Sequence, residues 1–221
     1  YYTTSAAYNV VIAKPGFDGS ITEDEVAPTM SSVVDVRDGK RYYYREIGDL
    51  DWFVRNLSYE GSGVSFEGCD ALDDVYGRYY DWEEAQVACP EGWRLPASDD
   101  WASLAAQAGY KGEGDGNYLG IAGNLMVNAY FNSNRMWEYW PAVKITHSPG
   151  FSAIPTGYCT TSSAGVDGRD DLNYAVYWTA EDEDVDGESF GLYRMIYVEK
   201  PDLMLGAAHK TGFCATVRCV R

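Results

Sequence analysis

The sequence contains no apolar run of about 18 residues, the length that a membrane-spanning helix needs. It begins at Tyr1 without a basic and apolar leader, so we expect that any signal peptide or lipid anchor has been removed or lies outside this sequence. Basic residues are also scarce, since 17 Lys and Arg stand against 34 Asp and Glu, a formal net charge of −17. This balance argues against nucleic acid and anionic membranes as partners, because both require a basic surface.

Motifs for metal binding and catalysis are equally scarce. With 2 His and no Cys-x-x-Cys pair among 5 Cys, we do not expect a Cys/His metal cage. The sequence contains no Gly-x-Ser-x-Gly elbow, phosphate-binding loop or His-Glu-x-x-His helix. Carboxylate pairs abound in so acidic a chain, so glycosidase chemistry stays open on composition alone. We therefore expect a binding protein that needs no cofactor.

The composition that remains is that of a folded protein. Hydrophobic residues make up 46% and aromatic residues 15% of the 221 positions, enough for a sizeable core. Residues 1–31 hold a Pro-Gly turn and an acidic run, and we interpret them as a leading strand and linker, or as the tail of a preceding domain. Residues 32–221 form the main domain.

Strands predominate in the predicted secondary structure. Two β-rich segments flank Asp38-Gly39, a dipeptide typical of a type I′ hairpin turn, and the second segment runs from Arg41 to Ile47. Residues 52–54 predict a third strand. Later strands are predicted at residues 151–154, 174–179, 190–198 and 215–220.

Two short helices are predicted between these strands. The first covers Trp82 to Ala88 and ends at Cys89, because Pro90 disfavours helical geometry in the residue before it. The second is capped by Ser98. Its apolar residues recur with helical spacing and are assigned to the core: Trp101, Leu104, Ala105 and Ala108.

Short motifs follow one another in a fixed order between residues 35 and 221. They are Asp38-Gly39, Ile47-Gly48 with Trp52, Asn56-Leu57, Tyr76–Trp82, Cys89–Pro96 with Trp101, Gly150–Pro155 with Gly157-Tyr158, Tyr177–Thr179 and Val217–Arg221. This ordered set resembles the FISUMP family, the Fibrobacter succinogenes major paralogous domain. Residues 92–96, Gly-Trp-Arg-Leu-Pro, are also similar to the corresponding stretch of formylglycine-generating-enzyme-like domains.

The resemblance implies a fold, a location and a covalent link. The fold is α+β and C-type-lectin-like, with two short helices, a small mainly antiparallel sheet and long loops. The protein is expected to be exported, often as a lipoprotein of Bacteroidetes or Fibrobacter type, to the extracellular space or the outer-membrane surface. A disulfide is expected between Cys89 and Cys219, while Cys69, Cys159 and Cys214 compete for one further bridge.

The expected function is that of a non-catalytic surface or secreted binding module. Cell adhesion or pilus and surface assembly would be its role, with a glycan or a surface protein as its partner. The alternative is an enzyme of the carbohydrate-active or formylglycine-generating-like type. The latter activity depends on two late cysteines, and Cys214 with Cys219 is the only such pair.

An aromatic cluster with a neighbouring carboxylate is the predicted ligand site. Aromatic faces stack on sugar rings, and a carboxylate accepts hydrogen bonds from sugar hydroxyls. The alternative is that these rings fill the core, because aromatic side chains bury large areas. The residues are Trp137, Glu138, Tyr139 and Trp140.

Alternating carboxylates resemble the opening of a calcium loop. Asp182, Asp184 and Asp186 precede Gly187, the arrangement in which carboxylates converge on a hard cation and glycine permits a sharp turn. The twelfth position is Tyr193 where such a loop has Glu, so an EF-hand is excluded. We predict a weaker calcium site here, with an acidic, solvated hairpin tip as the alternative.

Overall fold

The computed structural model describes residues 11–12, 30–112, 116–131, 133–137 and 144–221. Within these ranges the fold is mixed and mostly strand, with four small antiparallel sheets of three strands each. The helices are α1 (Asp73–Tyr76), α2 (Trp82–Ala88), α3 (Ser98–Gln107) and α4 (Ala122–Leu125), and two 3₁₀ turns, Phe66–Gly68 and Asp70–Leu72, precede α1. The prediction of few helices with antiparallel strands is confirmed, whereas the single predicted sheet is replaced by several small ones.

The first sheet contains the predicted hairpin. Its strands are β2 (Ser31–Val34), β3 (Arg41–Ile47) and β4 (Leu50–Phe53), in the order β2-β3-β4. The connection is longer than the two-residue turn that Asp38-Gly39 predicts, because the last pair is Val34 with Arg41. Asp35 closes this loop: its carbonyl accepts from the Gly39 N–H at 2.7 Å, and its backbone N–H donates to Lys40 at 2.8 Å.

The two predicted helices are present as α2 and α3. Asp81 caps α2 by accepting from the Glu84 N–H at 2.9 Å. Cys89 is extended after the helix, as Pro90 requires. The apolar stripe of α3 is buried as predicted, but Ser98 is its first helical residue and not its cap. The Ser98 N–H instead donates to Glu181 of a distant strand at 2.7 Å.

The largest sheet consists of three long strands. They are β9 (Tyr174–Val185), β10 (Glu188–Tyr197) and β11 (Leu203–His209), in the order β11-β10-β9. The strands predicted at 174–179 and 190–198 are therefore confirmed. The pairing of β9 with β10 shifts between Gly191 and Tyr193, which marks a β-bulge.

Two further sheets complete the described strands. One has the order β12-β7-β8, from β7 (Tyr158–Ser162), β8 (Gly165–Arg169) and β12 (Phe213–Cys214). The other has the order β1-β5-β6, from β1 (Val11–Ile12), β5 (Ala129–Phe131) and β6 (Asn134–Arg135). β1 pairs antiparallel with β5. The domain boundary at residue 31 stays a prediction.

Residues 213–221 run through the middle of the domain and form what we call the central segment. The three hydrophobic clusters of the core each include residues of this segment. Beyond β12 it forms single backbone bridges to other parts of the chain, at Tyr80, Tyr177, Trp52 and Arg94. The predicted strands at 151–154 and 215–220 are wrong, because these segments pair through isolated bridges instead of continuous ladders.

Arg218 lies at the centre of this segment and is 1% exposed. It donates to Asn56 Oδ1 at 2.7 Å and to the carbonyls of Phe53, Phe151 and Ser152 at 3.1, 2.6 and 2.9 Å. All four acceptors are neutral. Burial lowers the pKa of Arg218. One guanidinium thus joins three distant parts of the chain.

Candidate functional site

One residue of the predicted aromatic ligand site lies within the described ranges. Trp137 is 0% exposed, and its Nε1 donates to the Ala153 carbonyl at 3.3 Å. The prediction that this ring stacks on a ligand is therefore corrected, because no face of it reaches the surface. Glu138, Tyr139 and Trp140 lie outside the described residues, and their ligand-binding role stays a prediction.

The three predicted calcium ligands lie along the β9–β10 hairpin. Asp182 Oδ2 accepts from Lys210 Nζ at 2.6 Å, and Asp184 accepts from the Gly187 N–H at 3.0 Å. Asp186 lies in the turn, with φ 53°. Across the described part of the chain, no three His, Cys, Asp or Glu side chains are arranged to hold a metal ion. Lys210 forms an ion pair with Asp182, and the calcium site expected at this hairpin stays a prediction.

The five cysteines are divided between one disulfide and three thiols. Cys89 is bonded to Cys219, with 5.8 Å between their Cα atoms, in agreement with the resemblance. Cys159 and Cys214 are buried thiols, and Cys69 is exposed. Burial raises the pKa of both buried thiols to about 12, so neither is a thiolate near neutral pH. The two late cysteines are thus a disulfide sulfur and a protonated thiol, and they do not form a reactive pair.

A surface of aromatic rings lies across β7, β12, β9 and β10. Alternate residues of a strand point to the same face of a sheet, and Tyr193 and Tyr197 pair with Trp178 and Tyr174 of β9. Phe213 and Tyr158 extend this surface from the neighbouring sheet. We call its five half-buried rings the aromatic platform: Tyr158, Tyr174, Tyr193, Tyr197 and Phe213.

The platform rings form two stacks. Phe213 lies between Tyr158 and Tyr193, with ring centroids 5.0 and 5.4 Å apart and interplanar angles of 26° and 21°. Tyr174 and Tyr197 stack across β9 and β10 at 4.6 Å and 10°. Stacked rings cover part of one another's faces, so the outer faces at the ends of each stack and the ring edges are the surfaces left for a ligand.

Packing beside Tyr193 fixes the position of its ring. The buried Trp178 meets Tyr193 and Phe213 edge-on, with centroid distances of 6.0 and 5.5 Å. On β11, Gly206 leaves space for the Tyr193 ring, since a Cβ atom there would overlap it. The ring is therefore held by its neighbours before any ligand binds.

Two carboxylates border the platform. Burial and the negative charge of Asp170 raise the pKa of Tyr158. Burial, Asp170 and Glu199 raise the pKa of Tyr174, and a hydrogen bond with Glu199 raises that of Tyr197. The phenols therefore remain neutral hydrogen-bond donors near neutral pH. Rings with adjacent O–H and carboxylate groups can pack on a sugar ring and bind its hydroxyls.

A small cavity lies beside Arg218. Its volume is about 20 Å³, which is enough for a single water molecule and too small for a substrate. Its lining includes Val54, Asp74, Val127 and Ile154.

The sequence analysis did not identify the platform, although a partial signal is present. Tyr193, Met195 and Tyr197 have the two-residue spacing that places three large side chains on one strand face. Phe213 and Tyr158 could not be added to them, because they are 55 positions apart and meet only through the pairing of β7 with β12.

Comparison with known proteins gives one match. The model of the family described as the Fibrobacter succinogenes major domain matches residues 46–221. This family is associated with the cell surface. No curated protein and no solved structure matches the chain. Among the described residues, none of the helices has the length and apolar character needed to cross a membrane.

Proposed function

The chain belongs to the Fibrobacter succinogenes major domain family, and on this premise we propose that it is a non-catalytic surface module that binds glycans. The observation that carries the proposal is the aromatic platform. Its five rings are only partly buried, so each keeps a portion of its surface that a ligand can contact. The bordering Asp170 and Glu199 supply acceptors for sugar hydroxyls.

The proposed role is adhesion or surface assembly, with the sugar contact made at the cell exterior. An open platform supports binding over catalysis, because enzymes place their polar groups in concave pockets. The proposed fold within the α+β class is C-type-lectin-like. The bond between Cys89, at the end of α2, and Cys219, in the central segment, supports that fold because the resemblance implies the same link.

A glycan array probed with the wild-type chain and with Tyr174→Ala tests the function. We expect binding by the wild type and an affinity about tenfold lower for the variant, a loss of about 1.4 kcal/mol. Tyr43→Ala is the matched control, since Tyr43 is a half-buried tyrosine of β3, in another sheet.

Two results would contradict the proposal. No binding to any glycan would leave protein-directed adhesion as the function. Binding that Trp140→Ala abolishes and Tyr174→Ala does not change would move the site from the platform to the cluster predicted from the sequence.

A further inference from the structure

Two of the free thiols face each other across a pair of strands. Cys159 of β7 and Cys214 of β12 are direct partners in the antiparallel register. Directly opposed residues point to the same face of the sheet, with Cα atoms about 4.5–5.5 Å apart. Disulfides span Cα separations of about 4.4–6.8 Å. The Cα separation expected for this pair therefore falls within the range that disulfides span, and a small adjustment of the strands brings the Cβ atoms to the separation of about 3.5–4.5 Å that the bond needs.

The surroundings of the two thiols favour the same pairing. Both belong to one hydrophobic cluster, and they are 0% and 3% exposed. The remaining thiol, Cys69, is exposed and follows the first 3₁₀ turn. A bond between Cys159 and Cys214 would require no movement of a surface group into the core.

We propose that Cys159 and Cys214 are a second disulfide pair, which closes when the protein is oxidised. Each thiol gives up its proton, the pair gives up two electrons, and one S–S bond forms. The acceptor is a low-molecular-weight disulfide, which takes the two electrons and two protons and leaves as two thiols.

The time at which this bond forms follows from the burial of the thiols. The attacking species is a thiolate, and burial raises the pKa of both groups to about 12. The bond therefore forms during folding, before the thiols are enclosed, or when β12 detaches. Detachment of β12 would break its two residue pairs with β7 and also the flanking hydrogen bonds of Gly212 with Thr161 and of Ala215 with Tyr80, so closure during folding is the easier route.

Closure of this bond would also act on the aromatic platform. Phe213 precedes Cys214 and Tyr158 precedes Cys159, so both rings point to the opposite face of the same two strands. A covalent link on one face would hold β12 to β7 and keep Phe213 stacked on Tyr158. The second disulfide would thus stabilise the platform by holding together the two strands that carry Phe213 and Tyr158.

The test is to refold the full chain with oxidised and reduced glutathione, unfold it, and alkylate the remaining thiols. Mass spectrometry should show one alkylated residue, Cys69, and a linked peptide containing Cys159 and Cys214. In Cys159→Ala, alkylation should rise to two residues, Cys69 and Cys214. In Cys69→Ala, which leaves the core intact, no residue should be alkylated.

Three alkylated cysteines in the oxidised wild type would overturn the proposal. A linked peptide that joins Cys69 to either buried cysteine would overturn it as well. Neither of these two results depends on whether the protein binds glycans.

Discussion

Arg218 Nε donates to Asn56 Oδ1 at 2.7 Å, although the two residues are 162 positions apart. Asn56 in turn donates through Nδ2 to the Tyr76 carbonyl at 2.7 Å. The guanidinium and the amide therefore satisfy acceptors on segments that no continuous sheet connects. In a fold of small separate sheets, these buried polar contacts take over part of the role of a long strand ladder.

Arg218→Lys should lower the free energy of unfolding by about 3 kcal/mol. An ammonium group has three donors without the planar fork, so it cannot serve four neutral acceptors. Urea unfolding measures the loss. Arg41→Lys is the control, because Arg41 is exposed and bonds only to Ser32 among the contacts described, and it should cost less than about 0.5 kcal/mol. Equal losses of unfolding free energy in the two variants would show that the planar guanidinium of Arg218 has no special role.

Gly157→Ala should destabilise the protein more than Gly39→Ala. Both glycines have left-handed backbones, with φ of 66° and 80°. A Cβ at position 157 would overlap the Arg169 carbonyl, whereas at position 39 it meets nothing within 4 Å. Backbone strain alone should cost about 1–2 kcal/mol at position 39, and the overlap should add to this at position 157. Similar melting temperatures for the two variants would contradict this expectation.

Removing the disulfide with Cys89→Ala and Cys219→Ala should lower the free energy of unfolding by roughly 4–5 kcal/mol. The bond closes a loop of 130 residues, so its loss gives the unfolded chain much more conformational freedom. Thermal unfolding of the double variant measures the effect, with Cys69→Ala as the control for loss of an exposed cysteine. A double variant as stable as the wild type would show that the unfolded chain gains no such freedom.

Acidification should destabilise the protein through His147. Burial, together with the positive charges of Arg45 and Arg218, lowers its pKa from 6.5 to about 4. Folding thus favours the neutral ring, and this stability is fully present above pH 6.5 and is lost as the pH falls towards 4. Between pH 7 and pH 5 the loss is about 2 kcal/mol.

His147→Gln isolates this contribution. Glutamine does not titrate and can still bond to Ser152, which lies 2.7 Å from His147 Nε2. The difference in unfolding free energy between pH 7 and pH 5 should therefore be smaller in the variant. An unchanged difference would assign the pH dependence to the carboxylates.

Local signals in the sequence were sufficient for the local structure. Pro90 ends α2, the spacing of Trp101 and Leu104 orients α3, and Asp38-Gly39 separates β2 from β3. Each of these depends on residues a few positions apart. The predicted length of the hairpin loop was wrong because Asp35 forms hydrogen bonds within the loop. The turn propensity of Asp38-Gly39 contains no information about that contact.

Long-range contacts could not be predicted in the same way. Trp137 and Tyr193 are both aromatic residues with aromatic neighbours, yet Trp137 is fully buried and Tyr193 only partly. Their exposure depends on which strands cover them. The apolar pattern of residues 215–220 indicates burial correctly but cannot show that each residue pairs with a different element.

The position of the central segment also sets the order of events on the ribosome. Its backbone partners, from Trp52 to Tyr177, are all synthesised before it, so they emerge with unpaired edges and an open core. Cooperative folding must wait until residue 221 has left the exit tunnel. Until then these partners lack the segment that contributes residues to all three hydrophobic clusters, so the core cannot close.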